Sequence, residues 1–127
     1  MHEIGIVTGI LESVTRVARD AGASRICKVN LRIGTMREVV PEAMDLAWEV
    51  YCEDDPLTDG CELAVEEVRP ESVCSACGAT FSHDRFHVKC PVCGSADTKL
   101  VHGRELDIVS IEVEHPDEED APDGAGA

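Results

Sequence analysis

Apolar residues recur at intervals of three and four from Ile4 to Ala21. Ile4, Val7, Leu11, Val14, Ala18 and Ala21 make one stripe, and Ile6, Ile10 and Val17 widen it. That period predicts an amphipathic helix over 3–21, with Gly22 as its stop. Over 25–34 the period drops to two. Cys27, Val29, Leu31 and Ile33 face one way, Lys28, Asn30 and Arg32 the other, which predicts a strand ending at Gly34. Pro41 opens a second helix running to about Cys52. Glu42 sits in its first turn, where the helix dipole favours an anion, and Met44, Ala47, Trp48 and Tyr51 form its core stripe. Asp54-Asp55-Pro56 and Asp59-Gly60 are turn chemistry. A second strand is expected over 61–68, with Cys61, Leu63 and Val65 on one face. A third is expected over 104–114, carrying Leu106, Ile108, Val109, Ile111 and Val113, with a bulge where the alternation slips near Ser110. The expected class is α+β: two helices packed on a small β-sheet of about three strands, with a further lobe inserted between the second and third.

That insertion carries the strongest chemical signal. Cys74, Cys77, Cys90 and Cys93 are spaced C-x2-C-x12-C-x2-C, with Gly78 and Gly94 directly after the two pairs and Pro91 inside the second. Two residues between cysteines let one tight turn aim both sulfurs at a point. Two such turns supply the four thiolates of a closed tetrahedral zinc site. Disulfides, a redox C-x-x-C and rubredoxin-like iron are the competing readings. The opening residues have no basic region of a secretory signal, so the expected compartment is a reducing cytoplasm, against disulfides. A redox motif wants one pair at a helix start rather than two matched turns. The short separation of the pairs favours a zinc ribbon over iron. Four thiolates leave no open position, so the zinc builds structure and performs no chemistry. The expected organisation is 1–68 plus 103–115 as an α/β lobe and 69–102 as the zinc-ribbon lobe. Residues 116–127 read as a disordered acidic tail.

Charge narrows the partners. The chain has a net charge of -15, and without Asp117, Glu118, Glu119, Asp120 and Asp123 it is still -10. Phosphate contacts need clustered Lys and Arg, so nucleic acid is excluded as a partner although zinc ribbons often bind it. Aromatic residues for base stacking are few: Trp48, Tyr51, Phe81 and Phe86. No apolar run approaches the roughly 20 residues of a membrane span, so a membrane is excluded too. An acidic surface suits a cationic partner or metal traffic.

Met1-His2-Glu3 is a chelator if it stands at a free amino terminus. The α-amine of Met1, the amide nitrogen of His2 and His2 Nδ1 close two fused rings around one ion. Amide nitrogens become ligands chiefly for Cu(II) and Ni(II), which favour planar nitrogen sites. The first amides of a helix have no carbonyl partner, so ligation there breaks no helical bond. A fourth donor is left open between the Glu3 amide, the Glu3 carboxylate, water and a partner side chain.

Taken together, several segments resemble the HypA family, the hydrogenase maturation factors and nickel metallochaperones. They are Met-His-Glu at 1–3, Leu-Arg-Ile-Gly at 31–34, Val-Val-Pro-Glu-Ala at 39–43, the four cysteines, Gly-Arg-Glu-Leu at 103–106 and Ser-Ile-Glu-Val at 110–113. The resemblance covers 1 to about 114. It implies a nickel-binding lobe anchored by His2, with Met1 and Glu3 beside it, and a separate zinc lobe held by Cys74, Cys77, Cys90 and Cys93. It implies Ni(II) as cargo, Zn(II) as a structural cofactor, and no catalysis. The implied partners are a hydrogenase maturation GTPase and the large subunit of [NiFe]-hydrogenase. The alternative function is a structural or regulatory zinc-ribbon adaptor without nickel. An enzyme is disfavoured, because the chain offers no Ser/His/Asp constellation, phosphate loop or open metal site.

Other candidates read as structural. His83 and His87, between the cysteine pairs, are expected to be exposed loop residues. Cys27 and Cys61 are expected as buried, inert thiols, and Cys52 ends the second helix. Arg104 and Glu105 are expected to be structural, and His102 and His115 show no evident role.

Overall fold

The computed structural model describes residues 2–116; the expected tail lies, from residue 117 onward, outside the described residues. Helix α1 spans His2–Asp20, strand β1 Arg25–Gly34, a 3-10 turn Thr35–Arg37 and helix α2 Pro41–Cys52. Strands β2 (Glu62–Val68), β3 (Glu71–Cys74), β4 (Thr80–Ser82), β5 (Thr98–His102) and β6 (Leu106–Glu114) follow. β1 is central in a three-stranded sheet ordered β2-β1-β6, and β3 is central in a second ordered β4-β3-β5. The three strands expected from alternation thus form one sheet, and the insertion builds another. Among the described residues no helix is long and apolar enough to cross a membrane.

The chain divides into two compact units. One comprises Met1–Leu31, Val39–Ala64 and Ile108–Ala127, the other Arg32–Glu38 and Val65–Asp107. In the first unit the core is built from Val7, Ile10, Val14 and Ala18 of α1, Ile26, Val29 and Leu31 of β1, and Met44, Ala47, Trp48 and Cys52 of α2. The expected stripe of α1 is rotated by about one residue. Glu3 and Ile10 turn inward, while Val17 and Ala21 are exposed. Tertiary packing fixed that rotation, because a wide apolar stripe leaves it free.

Lys28 pairs with Glu62 and Arg32 with Glu66, so equal steps along β1 and β2 run the same way. This is a parallel pair joined through α2, as a βαβ unit requires. β6 runs antiparallel to β1: Ser24 N–H donates to Glu114 O and Gly34 N–H to Glu105 O, both at 2.8 Å. Those bonds bracket ten steps on β1 and nine on the returning segment, so β1 carries one extra residue. Ile26 and Val29, three apart, are both fully buried, which places the slip at Cys27 and Lys28. Cys27 is therefore only half-buried, in contrast to its expected core position. Val65, Ile108 and Val109 are exposed because they lie on edge strands.

In the second unit, two motif glycines meet. A Cβ on Gly34 would stand 2.1 Å from the carbonyl carbon and oxygen of Gly103, which itself has φ +127°. Met36 N–H donates to Gly103 O at 2.8 Å and Arg37 Nε to Arg104 O at 2.8 Å. Only a residue without a side chain lets the backbones approach this closely.

Candidate metal centres

The two cysteine pairs fold into the same turn twice. Gly78 N–H donates to Cys74 O and Gly94 N–H to Cys90 O, each at 2.8 Å, with φ of +80° and +77° at the two glycines. The positive φ explains why glycine stands there. β3 delivers Cys74 into the first turn, and Ser75 N–H donates to Asp97 O at 2.9 Å, tying that turn to the chain leaving the second. Cys74 Sγ lies 3.5 Å from Cys93 Sγ and Cys77 Sγ 3.6 Å from Cys90 Sγ. All four sulfurs fall within 4.8 Å of one another. A tetrahedron with Zn–S bonds of about 2.3 Å has edges of about 3.8 Å. The sulfur set therefore fits one zinc-sized ion without backbone movement. Cys74 and Cys90 are buried, while Cys77 and Cys93 face outward.

The electrostatics separate the four in the same two pairs. Backbone amides, Cys77's first, hold the Cys74 thiol below its ordinary value, and the Cys93 amide heads those that bring Cys90 down to about 7. The Ala79 amide pulls Cys77 down, but the neighbouring thiols, Cys90 foremost, and desolvation outweigh it and push it up to about 12. Cys93 is raised likewise, against the pull of the Ser95 amide, by Cys74 and burial. Four thiolates this close ionise together only around a cation.

The nearby histidines do not join the sulfurs; among the described residues the four cysteines are the one such grouping. His83 is half-buried rather than an exposed loop residue. Its Nδ1 donates to Asp84 O at 2.5 Å, and its Nε2 shares a hydrogen bond with buried Ser72 Oγ at 2.7 Å. His87 is exposed, as expected, and its Nδ1 sits 2.8 Å from both carboxylate oxygens of Asp84. Glu105 accepts from Gly103 N–H at 2.7 Å and pairs with His102 Nδ1 at 3.0 Å.

Of the amino-terminal candidates, Met1 lies outside the described residues. His2 is exposed on the first turn of α1. Glu3 is buried, and its Oε2 accepts the Val40 N–H at 2.9 Å. Val40 is the N-cap of α2 and has no side-chain cap of its own, so a carboxylate from α1 does that work. The Val40 amide, followed by Glu3's own, holds the carboxyl below its ordinary range. Sequence reasoning missed this contact because its partner is 37 residues away. A cavity of about 350 Å³ beside it is lined by Ile4, Ala43, Leu46, Val50 and Tyr51.

An α+β body beginning in a helix, with a ribbon whose four thiols surround one ion-sized space, defines a small metal-binding protein of the zinc-ribbon type. Residues 1–113 match the family model described as hydrogenase/urease nickel incorporation, metallochaperone, HypA, and the chain belongs to the HypA family. It is 35% identical over 114 residues to the hydrogenase maturation factor HypA of Chlorobaculum parvum, covering 90% of this chain and all of that one. It is 38% identical over 114 residues to that of Chloroflexus aurantiacus, covering 88% and 98%. In fold it is similar to the solution structure of the Ni metallochaperone HypA from Helicobacter pylori. That comparison gives a TM-score of 0.66 at 22% identity over 91% of this chain and 99% of that one.

Proposed function

We propose that this protein is a nickel carrier for the maturation of [NiFe]-hydrogenase and catalyses no reaction of its own. Membership of a family described by nickel incorporation carries this reading. Ni(II) is held by the α-amine of Met1, the amide nitrogen of His2 and His2 Nδ1, which form a planar nitrogen set. The fourth position falls to Glu3, through its amide or, at the expense of the Val40 bond, its carboxylate, or else to an exchangeable group. Exposure of His2 at the helix start supports this, since partner ligands can replace donors one at a time. The charge distribution supports it too. Among the described residues, the unit that contains His2 holds four Lys and Arg against thirteen Asp and Glu, whereas the other holds seven against eight. Cations are thereby drawn to the nickel lobe.

Cys74, Cys77, Cys90 and Cys93 hold a structural zinc in the other lobe, and the sulfur spacing supports that assignment. The partners are a hydrogenase maturation GTPase and the hydrogenase large subunit, met in the cytoplasm. A complementation experiment separates a carrier from an adaptor. In cells lacking their own family member, His2→Ala should fail to restore hydrogenase activity at low nickel while the protein accumulates normally with its zinc. Full restoration by His2→Ala would favour the adaptor.

A further inference from the structure

We propose that the four-sulfur centre is also a site of reversible oxidation by peroxide. The outward-facing Cys77 and Cys93 react first, and each is resolved across the ribbon, giving the disulfides Cys77–Cys90 and Cys74–Cys93. The inference rests on the zinc assignment above only for the metal that is expelled. Exposure divides the four sulfurs evenly. Cys74 and Cys90 are 1% and 2% exposed, whereas Cys77 and Cys93 are open to solvent. Their neighbours Ala76, Gly78, Val92 and Gly94 are exposed too, so the two turns leave the outer sulfurs unshielded. Each outer sulfur meets an inner one from the other turn. Cys93 Sγ lies 3.5 Å from Cys74 Sγ, and Cys77 Sγ 3.6 Å from Cys90 Sγ. The inner sulfurs are held in place: Cys74 ends β3, the central strand of its sheet, and Cys90 Sγ accepts Val92 N–H at 3.4 Å. The other cysteines are poorer targets, since Cys52 and Cys61 are buried and Cys27 is half-buried.

Sulfurs that ligate one cation stay thiolates, the form that attacks a peroxide. Cys93 sulfur attacks one peroxide oxygen. An S–O bond forms, the O–O bond breaks, and the departing hydroxide takes a proton from solvent to become water. Cys74 sulfur then displaces the sulfenic hydroxyl. The S–S bond forms, the S–O bond breaks, and the second hydroxide takes a solvent proton to become another water. Two thiolates lose two electrons and the peroxide gains them. A second peroxide joins Cys77 to Cys90 by the same steps. The two links use different sulfurs, so one chain accommodates both, and a cation stripped of its thiolates departs. Ser75 N–H, bonded to Asp97 O at 2.9 Å, holds the two turns together while the links form.

The test uses the full zinc-loaded chain and excess hydrogen peroxide, with released zinc read by a chromogenic chelator. Alkylation in denaturant and cleavage after glutamate, lysine and arginine follow. That cleavage isolates Cys74 and Cys77 in 72–85, Cys90 and Cys93 in 90–99, Cys27 in 26–28, Cys52 in 50–53 and Cys61 in 54–62. The expected product is 72–85 joined to 90–99, about 4 Da lighter than the two reduced fragments together, and formed as zinc is lost. Fragmentation of that product should place the links at Cys74–Cys93 and Cys77–Cys90, and dithiothreitol should restore zinc binding. With less peroxide and dimedone present, adducts should fall on Cys77 and Cys93. Separate 72–85 and 90–99, each closed by its own internal disulfide, would overturn the proposal. So would dimedone adducts on Cys74 or Cys90, or links that involve 26–28, 50–53 or 54–62. Zinc content before treatment is a separate reading: a chain without metal would sink the zinc assignment, while the adducts and links would still decide the order of oxidation.

Discussion

Replacing Gly34 with alanine should damage the second unit more than alanine at any other described glycine. The new Cβ would stand 2.1 Å from Gly103 C and O and 2.5 Å from Arg104 N, all backbone atoms, where ordinary contact begins at 3.4 Å. No side chain can swing away, so one strand must retreat by about 1.3 Å relative to the other. That movement breaks the bonds from Gly34 N–H to Glu105 O and from Met36 N–H to Gly103 O. Two backbone bonds at about 1 kcal/mol each, plus about 1–2 kcal/mol of overpacking strain, give a loss of about 3–4 kcal/mol. For a chain of this size the apparent melting temperature should fall by about 10 °C. Gly9→Ala is the matched control. Gly9 lies in α1, and a Cβ added there would meet nothing within 4 Å, so alanine should stabilise by about 0.5–1 kcal/mol. Thermal unfolding by circular dichroism of both variants, with zinc content measured in parallel, decides. A Gly34→Ala protein melting within about 2 °C of the parent would refute the close-approach argument.

Removing zinc should cost residues 70–102 their amide protection while α1 and α2 keep theirs, because a lobe of that size buries too little apolar surface to fold alone. Hydrogen exchange on metal-free protein tests this, and unchanged protection in that segment contradicts it. Asp55→Asn should destabilise by about 1 kcal/mol, since Oδ1 accepts Leu57 N–H at 2.9 Å and Oδ2 accepts Arg19 at 2.6 Å on a partly solvated surface. The Leu57 amide and then Arg19 hold that carboxyl below its ordinary value, so its stabilisation is present above about pH 4 and lost as pH falls through the lowered value. Denaturant titrations at pH 6 and pH 3 should show the gap between parent and variant closing at the lower pH. A constant gap would assign the effect elsewhere.

The helices and the first sheet were legible because they are periodic. α2 spans Pro41–Cys52, as its proline and its stripe require. The ribbon cysteines were legible because metal geometry dictates their spacing. β3, β4 and β5 were not, since Glu71–Cys74, Thr80–Ser82 and Thr98–His102 are too short and polar to show alternation. Their pairing follows from the turns the cysteines make. Glu3 drew attention in the sequence only through its place beside His2, and its contact with the start of α2 was hidden, because capping partners distant in sequence leave no local signal. The extra residue of β1 was hidden as well: Cys27, Val29, Leu31 and Ile33 alternate perfectly in sequence, and only the partner strand reveals the slip at Cys27 and Lys28.

The terminal chelate is tested most directly by isothermal calorimetry of Ni(II) binding to the native protein and to one extended by a single residue before Met1. The extension turns the Met1 amine into an amide and moves the free terminus one residue further from His2, while leaving the core residues of α1 untouched. The account predicts a loss of at least about tenfold in nickel affinity, equivalent to about 1.4 kcal/mol, with zinc content and melting temperature unchanged. An extended protein that binds nickel as tightly as the native one at the same pH would contradict it.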